Sequence, residues 1–171
     1  FPAPRVQTRG GKVLDAGFSV RRMTEVYRRA MKRFPAVREI WLENGRWLTA
    51  AAGVLAVRIL DVKGDPVRGA RTLICDGGRT LQAMVATWEQ HALVPLTERR
   101  AASLPTLVYG PTCMAFDNLG MHALSSGLRR GDVLMWMDAG EKKMGWETRF
   151  SHGLAENVWV EEVCFLKKKK K

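Results

Sequence analysis

Hydrophobic and polar positions divide this chain into a helical stretch followed by a β-rich one. From Arg21 to Phe34, Met23, Val26, Tyr27, Ala30 and Phe34 recur at i, i+3, i+4, i+7 and i+11, one face of a 3.6-residue period. Ser19 is placed to cap this helix and Pro35 to stop it. The apolar-centred segment Arg38 to Glu43 then reads as a strand, so this first part has the order of one α/β unit. Such a unit cannot bury both faces of its sheet alone and calls for further barrel around it.

From Trp47 onward the pattern changes. Apolar, β-branched runs predict strands at Leu48 to Val62, Thr72 to Cys75, Thr106 to Tyr109, Val133 to Met137 and Asn157 to Val163. Within the first of these, Ala50 to Val57 reads as buried strand. Turn signals separate the runs: Lys63-Gly64-Asp65-Pro66, Asp76-Gly77-Gly78, Gly110-Pro111, Arg130-Gly131-Asp132 and Asp138-Ala139-Gly140. The stretch Leu93 to Pro105, with its prolines and charges, reads as a surface loop. The expected fold class is mainly β: a β-barrel or sandwich domain over residues 48–166, preceded in residues 1–47 by a helix–strand unit and followed by a lysine tail, 167–171.

Composition changes this picture little, and charge only in part. Hydrophobic residues at 46% and charged residues at 26% are globular proportions. No apolar run approaches the roughly 20 residues that span a bilayer, so no membrane partner is expected. The net charge of +11 raises the question of nucleic acid, but the terminal run Lys167 to Lys171 supplies five of those charges. The remaining basic residues are scattered apart from one cluster on the helix. With no helix-turn-helix, finger or aromatic platform beside them, nucleic acid is not the expected partner. Three cysteines, Cys75, Cys113 and Cys164, have no metal-ligand spacing, so no metal is expected. They read as free thiols of a reducing, cytoplasmic compartment.

Four segments carry polar residues at the ends of apolar runs. Glu43-Asn44-Gly45-Arg46 offers a carboxylate, a glycine open to close approach and a guanidinium suited to phosphate; it also reads as a turn with a surface ion pair. Asp76-Gly77-Gly78 closes a buried strand and reads equally as a turn capped by its own acid. In Gly110-Pro111-Thr112-Cys113-Met114-Ala115-Phe116-Asp117, the thiol is either presented by a stiff loop or buried as a small hydrophobe. The last segment runs from Gly131-Asp132 through Asp138-Ala139-Gly140 to Phe150-Ser151-His152-Gly153. There Asp132 reads as a turn residue and His152 as a structural histidine.

The order of these pieces, beginning with Phe1-Pro2, resembles the fold-type III decarboxylases that depend on pyridoxal 5'-phosphate (PLP), the ornithine and diaminopimelate decarboxylase group. The resemblance extends to about residue 163, and Gly110-Pro111-Thr112-Cys113 with Asp117 is its most specific part. It implies a TIM-type (β/α) barrel, of which residues 1–47 are the tail end, joined to a C-terminal β-barrel. The activity implied is decarboxylation of an amino acid, with the Schiff-base lysine carried by the N-terminal barrel portion and not by this chain. It further implies Glu43, Gly45, Arg46 and Lys142 at the cofactor, Cys113 as the catalytic thiol, and Asp76, Met114 and Asp117 at the substrate. The partners implied are the N-terminal portion of the enzyme and a second copy in a homodimer, with the site at the subunit interface. The chain departs from the pattern in three places. Asn44 stands for a proline, Met114 for an acidic residue that grips a distal amino group, and Glu141-Lys142 for Ala-Tyr. The last two leave open a non-catalytic, regulatory or binding relative.

Overall fold

The computed structural model describes residues 5–7, 13–15, 19–43, 45–65, 70–82, 91–140, 148–150 and 152–160. Two short strands, β1 (Arg5–Gln7) and β2 (Val13–Asp15), pair antiparallel. Helix α1 (Val20–Arg33) forms where the 3.6 period predicts it. The Ser19 hydroxyl accepts from the Arg22 N–H at 3.3 Å, and the Phe34 N–H closes on Ala30 O. None of the residues of α1 is buried; along its apolar stripe Met23, Tyr27 and Ala30 are half-buried, while Val26, and Phe34 just past its end, are exposed.

Residues 38–43 adopt no regular structure, against the expected strand. Among the described residues no strand lies alongside to complete a ladder, and a strand without a partner leaves its backbone groups to water. The following apolar run also begins differently. Gly45–Thr49 is a short helix, α2, and Ala50–Ala52 a 3-10 turn; strand β3 (Leu55–Asp65) starts only after Gly53. Alanine is the strongest helix former, and a short apolar run does not distinguish helix from strand.

The remaining elements are β4 (Ala70–Cys75), α3 (Arg79–Gln82), β5 (Leu93–Pro95), β6 (Ser103–Tyr109), β7 (Asn118–Ser125) and β8 (Val133–Trp136). Strands β4, β6 and β8 coincide with predicted runs. β7 lacks the β-branched signature and carries Gly120 and His122, so the pattern does not find it. Leu93 is a buried strand residue and Ser103–Pro105 belongs to β6, which overturns the reading of Leu93 to Pro105 as a loop. The strand expected at Asn157 to Val163 is absent over 157–160, which are without regular structure; 161–163 lie outside the described residues.

Six strands form one sheet in the order β5-β8-β3-β4-β6-β7. β3 is long enough to pair with β8 through its first half and β4 through its second, with a bulge between Ile59 and Asp61. The bulge shifts the inward phase, so that Val57 and Ile59 face the core before it and Val62 packs against the core after it. Leu93 of β5 and Leu119 and Leu124 of β7 enter one core with Val57, Ile59, Leu73, Val108, Leu134 and Trp136. His122 of β7 meets Trp136 of β8 edge-on, with ring centroids 5.5 Å apart. The two ends of the sheet thus curl around a common interior, the barrel-like form of the expected β domain.

Candidate functional site

β4 and β6 pair in parallel, from Arg71 opposite Thr106 to Ile74 opposite Tyr109, whereas every other pair in the sheet is antiparallel. Parallel strands end at the same edge. The turn after β4, Asp76-Gly77-Gly78, therefore lies beside the loop after β6, Gly110 to Asp117. The two approach so closely that a Cβ on Gly78 would stand 2.5 Å from the Gly110 Cα.

Asp117 fills the space between them. It is wholly buried, and donors from both segments reach its carboxylate. Oδ1 accepts from the Arg79 N–H at 2.6 Å. Oδ2 accepts from the Thr112 N–H at 3.1 Å and the Thr112 hydroxyl at 2.6 Å. Its backbone closes the loop as well, through Gly110 N–H to Asp117 O and Asp117 N–H to Met114 O, both 2.9 Å. Asp117, expected at the substrate, is placed here with no exposed surface and with both carboxylate oxygens bonded within its own chain.

Cys113 sits on the outer side of the same loop and is exposed, as presentation by a stiff loop requires; Met114 beside it is half-buried. Cys75 is the opposite case. It is buried in the core, and desolvation, with the charge of Asp76 adding to it, pushes its thiol up to about 12. Asp76 is exposed, its Oδ1 accepting from the Arg58 N–H at 2.7 Å while its own N–H returns to Arg58 O. The segment leading to Phe150 joins this edge through Thr148 N–H to Thr80 O at 2.9 Å. His152 is exposed.

The residues expected at the cofactor form a second group. Glu43 is exposed, and Gly45 opens α2 with no atom within 4 Å of the point a Cβ would occupy. Arg46 follows in the same helix. The 3-10 turn after it is bonded to the Asp138-Ala139-Gly140 segment by Gly140 N–H to Ala50 O (2.9 Å) and Ala139 N–H to Gly53 O (2.8 Å). Gly53 and Gly140 press together, a Cβ on Gly53 falling 2.6 Å from the Gly140 Cα. Asp138 holds a positive φ of 57° while buried, a conformation aspartate tolerates better than most residues. Lys142 lies outside the described residues, as do Asn44 and Cys164. Sequence and structure thus bring Asp76, Cys113, Met114 and Asp117 to one sheet edge, while Glu43, Gly45 and Arg46 precede the turn whose Ala50 and Gly53 are bonded to residues 139–140.

Several polar residues that the sequence does not single out shape the far side of the barrel. Arg71 is buried, which lowers its pKa; it donates to Thr106 Oγ1 (3.1 Å) and to the carbonyls of Ser125, Ser126 and Leu128. Arg99 grips Asp132 through Nε (3.1 Å) and Nη2 (2.7 Å). This holds the Asp132 carboxyl below its ordinary range and makes it an ion-paired turn residue. Their only signal is a charged residue inside or next to a strand, which the period-2 pattern does not separate from a solvated one. Among the described residues no cluster of His, Cys, Asp and Glu could hold a metal, and no helix is long and apolar enough to cross a membrane.

Solved structures share this fold. The arginine decarboxylase of Paramecium bursaria Chlorella virus, bound to agmatine, superposes with a TM-score of 0.65 at 20% identity, over 77% of this chain and 37% of its own. The lysine/ornithine decarboxylase of Vibrio vulnificus, complexed with cadaverine, gives 0.67 at 18%, over 80% and 37%. The diaminopimelate decarboxylase of Helicobacter pylori, complexed with L-lysine, gives 0.53 at 23%, over 61% and 25%. At these identities the likeness is one of fold, and the chain spans well under half the length of each. No curated protein sequence matches. Residues 13–140 match the family described as pyridoxal-dependent decarboxylase, C-terminal sheet domain, a span that takes in both groups of site residues; the chain belongs to that family.

Proposed function

We propose that this chain serves a PLP-dependent amino-acid decarboxylase, working with a barrel portion that carries the Schiff-base lysine. The observation that carries the reading is the exposed Cys113 on a loop whose base is closed by a buried carboxylate. An apolar or merely structural cysteine needs no such support, whereas a thiol that must deliver a proton to one carbon does.

The donor set suits the cofactor. Arg46 supplies a planar cation for its phosphate, Gly45 leaves open space for close approach, and Glu43 offers a carboxylate to keep a pyridine nitrogen protonated. PLP, when bound, supplies the electron sink for the pair freed as carbon dioxide leaves. The chain's own contribution is then threefold. Glu43 and Arg46 orient, Asp76 faces the distal end of the substrate, and Cys113 Sγ–H gives its proton to the substrate's α-carbon. Met114, where an acid would grip a distal amino group, favours a substrate whose far end is less cationic than that of ornithine or lysine.

Exposed apolar surface supports the proposed partners. Val26 of α1, Phe34 and Trp41, the last 87% exposed, offer area for the lysine-bearing barrel. Phe116, 52% exposed on the loop of Cys113, suits a two-fold contact between copies that shields the loop.

The test is a denaturing intact mass of the purified protein with every copurifying chain, after borohydride reduction in the presence of PLP. A lysine-linked pyridoxyl group on a partner chain supports the proposal. An unlabelled chain alone overturns it and leaves the second reading, a non-catalytic relative that keeps the fold, which Met114 at the acid's position favours.

A further inference from the structure

The two turns at the sheet edge are the ends of different strands, and no backbone ladder joins them beyond Ile74 and Tyr109. What joins them is the carboxylate of Asp117. One oxygen takes the Arg79 N–H from the β4 side; the other takes the Thr112 N–H and hydroxyl from the β6 side. Gly78 and Gly110 are bare on the faces that meet it. A Cβ on Gly78 would come within 2.8 Å of the Asp117 Cγ, and one on Gly110 within 2.6 Å. A carboxylate packed against two glycines and bonded to both segments is a bolt between them.

We infer that Asp117 is a positioning residue that locks the Asp76-Gly77-Gly78 turn and the Cys113 loop into one rigid unit, without itself meeting substrate. The separation of the Asp76 carboxylate from the Cys113 thiol is then a property of this unit and not of two loops moving independently. The inference rests on the proposed function only for what Asp76 and Cys113 do once held; the locking itself is a property of the chain.

Thr112 allows a milder test than removal of the buried acid. Thr112→Val deletes the hydroxyl donor at nearly constant shape and leaves the Thr112 N–H in place, while Thr112→Ser keeps the donor. Two quantities are measured on the full chain without cofactor. One is amide hydrogen exchange. The other is the rate of Cys113 alkylation by iodoacetamide across pH, followed by peptide mass, with the buried Cys75 as the unreactive internal reference.

Losing one hydrogen bond to a carboxylate is expected to speed exchange roughly tenfold. The increase should appear at the Arg79 amide as well as at residue 112, although the substitution lies on the other segment. The Cys113 rate profile should change several-fold, and Thr112→Ser should restore both. If faster exchange stays within residues 110–117 while Arg79 is unchanged, the two segments are not locked and the inference fails. It also fails if the Cys113 profile in Thr112→Val matches the unsubstituted chain. Asp117→Asn, if it folds, should reproduce the Thr112→Val pattern more strongly. None of these outcomes bears on lysine labelling by borohydride, so failure here is distinct from failure of the decarboxylase proposal.

Discussion

Replacing Gly110 with alanine should destabilise the chain by about 3 kcal/mol, even though it adds one methyl group. The new Cβ would fall inside contact distance of both Asp117 carboxylate oxygens and 2.6 Å from its Cγ, where carbon atoms rest comfortably at about 3.5–4.0 Å. The carboxylate has little room to retreat, because the Gly78 backbone also lies against it and no part of it is exposed. One response is to break hydrogen bonds from Arg79 and Thr112, each worth roughly 1.5–3 kcal/mol for a charged acceptor. The other is to spread the strands, with overpacking strain of about 1–3 kcal/mol. For a chain of this size roughly 2–4 °C of melting temperature corresponds to each kcal/mol, so Tm should fall by about 6–12 °C. Gly64→Ala is the matched control, since nothing lies within 4 Å of a Cβ there. Thermal unfolding of both variants, followed by circular dichroism, decides the matter. A Gly110→Ala midpoint within about 2 °C of the control would refute the account of Asp117 as an immovable bolt.

Leu73, fully buried at the centre of β4, should cost about 3 kcal/mol when cut to alanine, whereas Leu60→Ala at the exposed bulge should cost under about 1; urea unfolding distinguishes them. His122 gives a pH dependence whose sign follows from burial. Its desolvated ring, held by Leu119 O and set against Trp136, has its pKa lowered in the folded state. The unfolded chain therefore binds the proton more readily, and stability should decline as pH falls below about 6.5. His122→Phe should flatten the slope of unfolding free energy between about pH 5 and 7, and an unchanged slope would sink the assignment.

Much of the candidate site is legible in the sequence because chemistry-bearing residues stand at the ends of apolar runs. Glycine, proline and acidic residues there mark turns whatever the surroundings, whereas the sequence leaves Cys113 either presented or buried, and the fold exposes it. The sequence does not show that Asp117 is buried and bonded on both oxygens within its own chain. Whether a carboxylate faces solvent or the backs of two glycines depends on Gly78, some forty positions away, and no local pattern carries that information.

The local pattern of residues carries what dihedral preference and period can specify. It set α1 between Ser19 and Pro35, the cores of β4, β6 and β8, and the turn chemistry between them. Tertiary structure decided the rest. It turned residues 45–52 into helical turns that brace 138–140, recruited the weakly patterned β5 and β7, and left 38–43 without a strand. Above all it set β4 parallel to β6, which brings the turn of Asp76 and the loop of Cys113 to one edge. Strand order and register are chosen by which faces bury together across the whole chain, a free energy that no window of neighbouring residues contains.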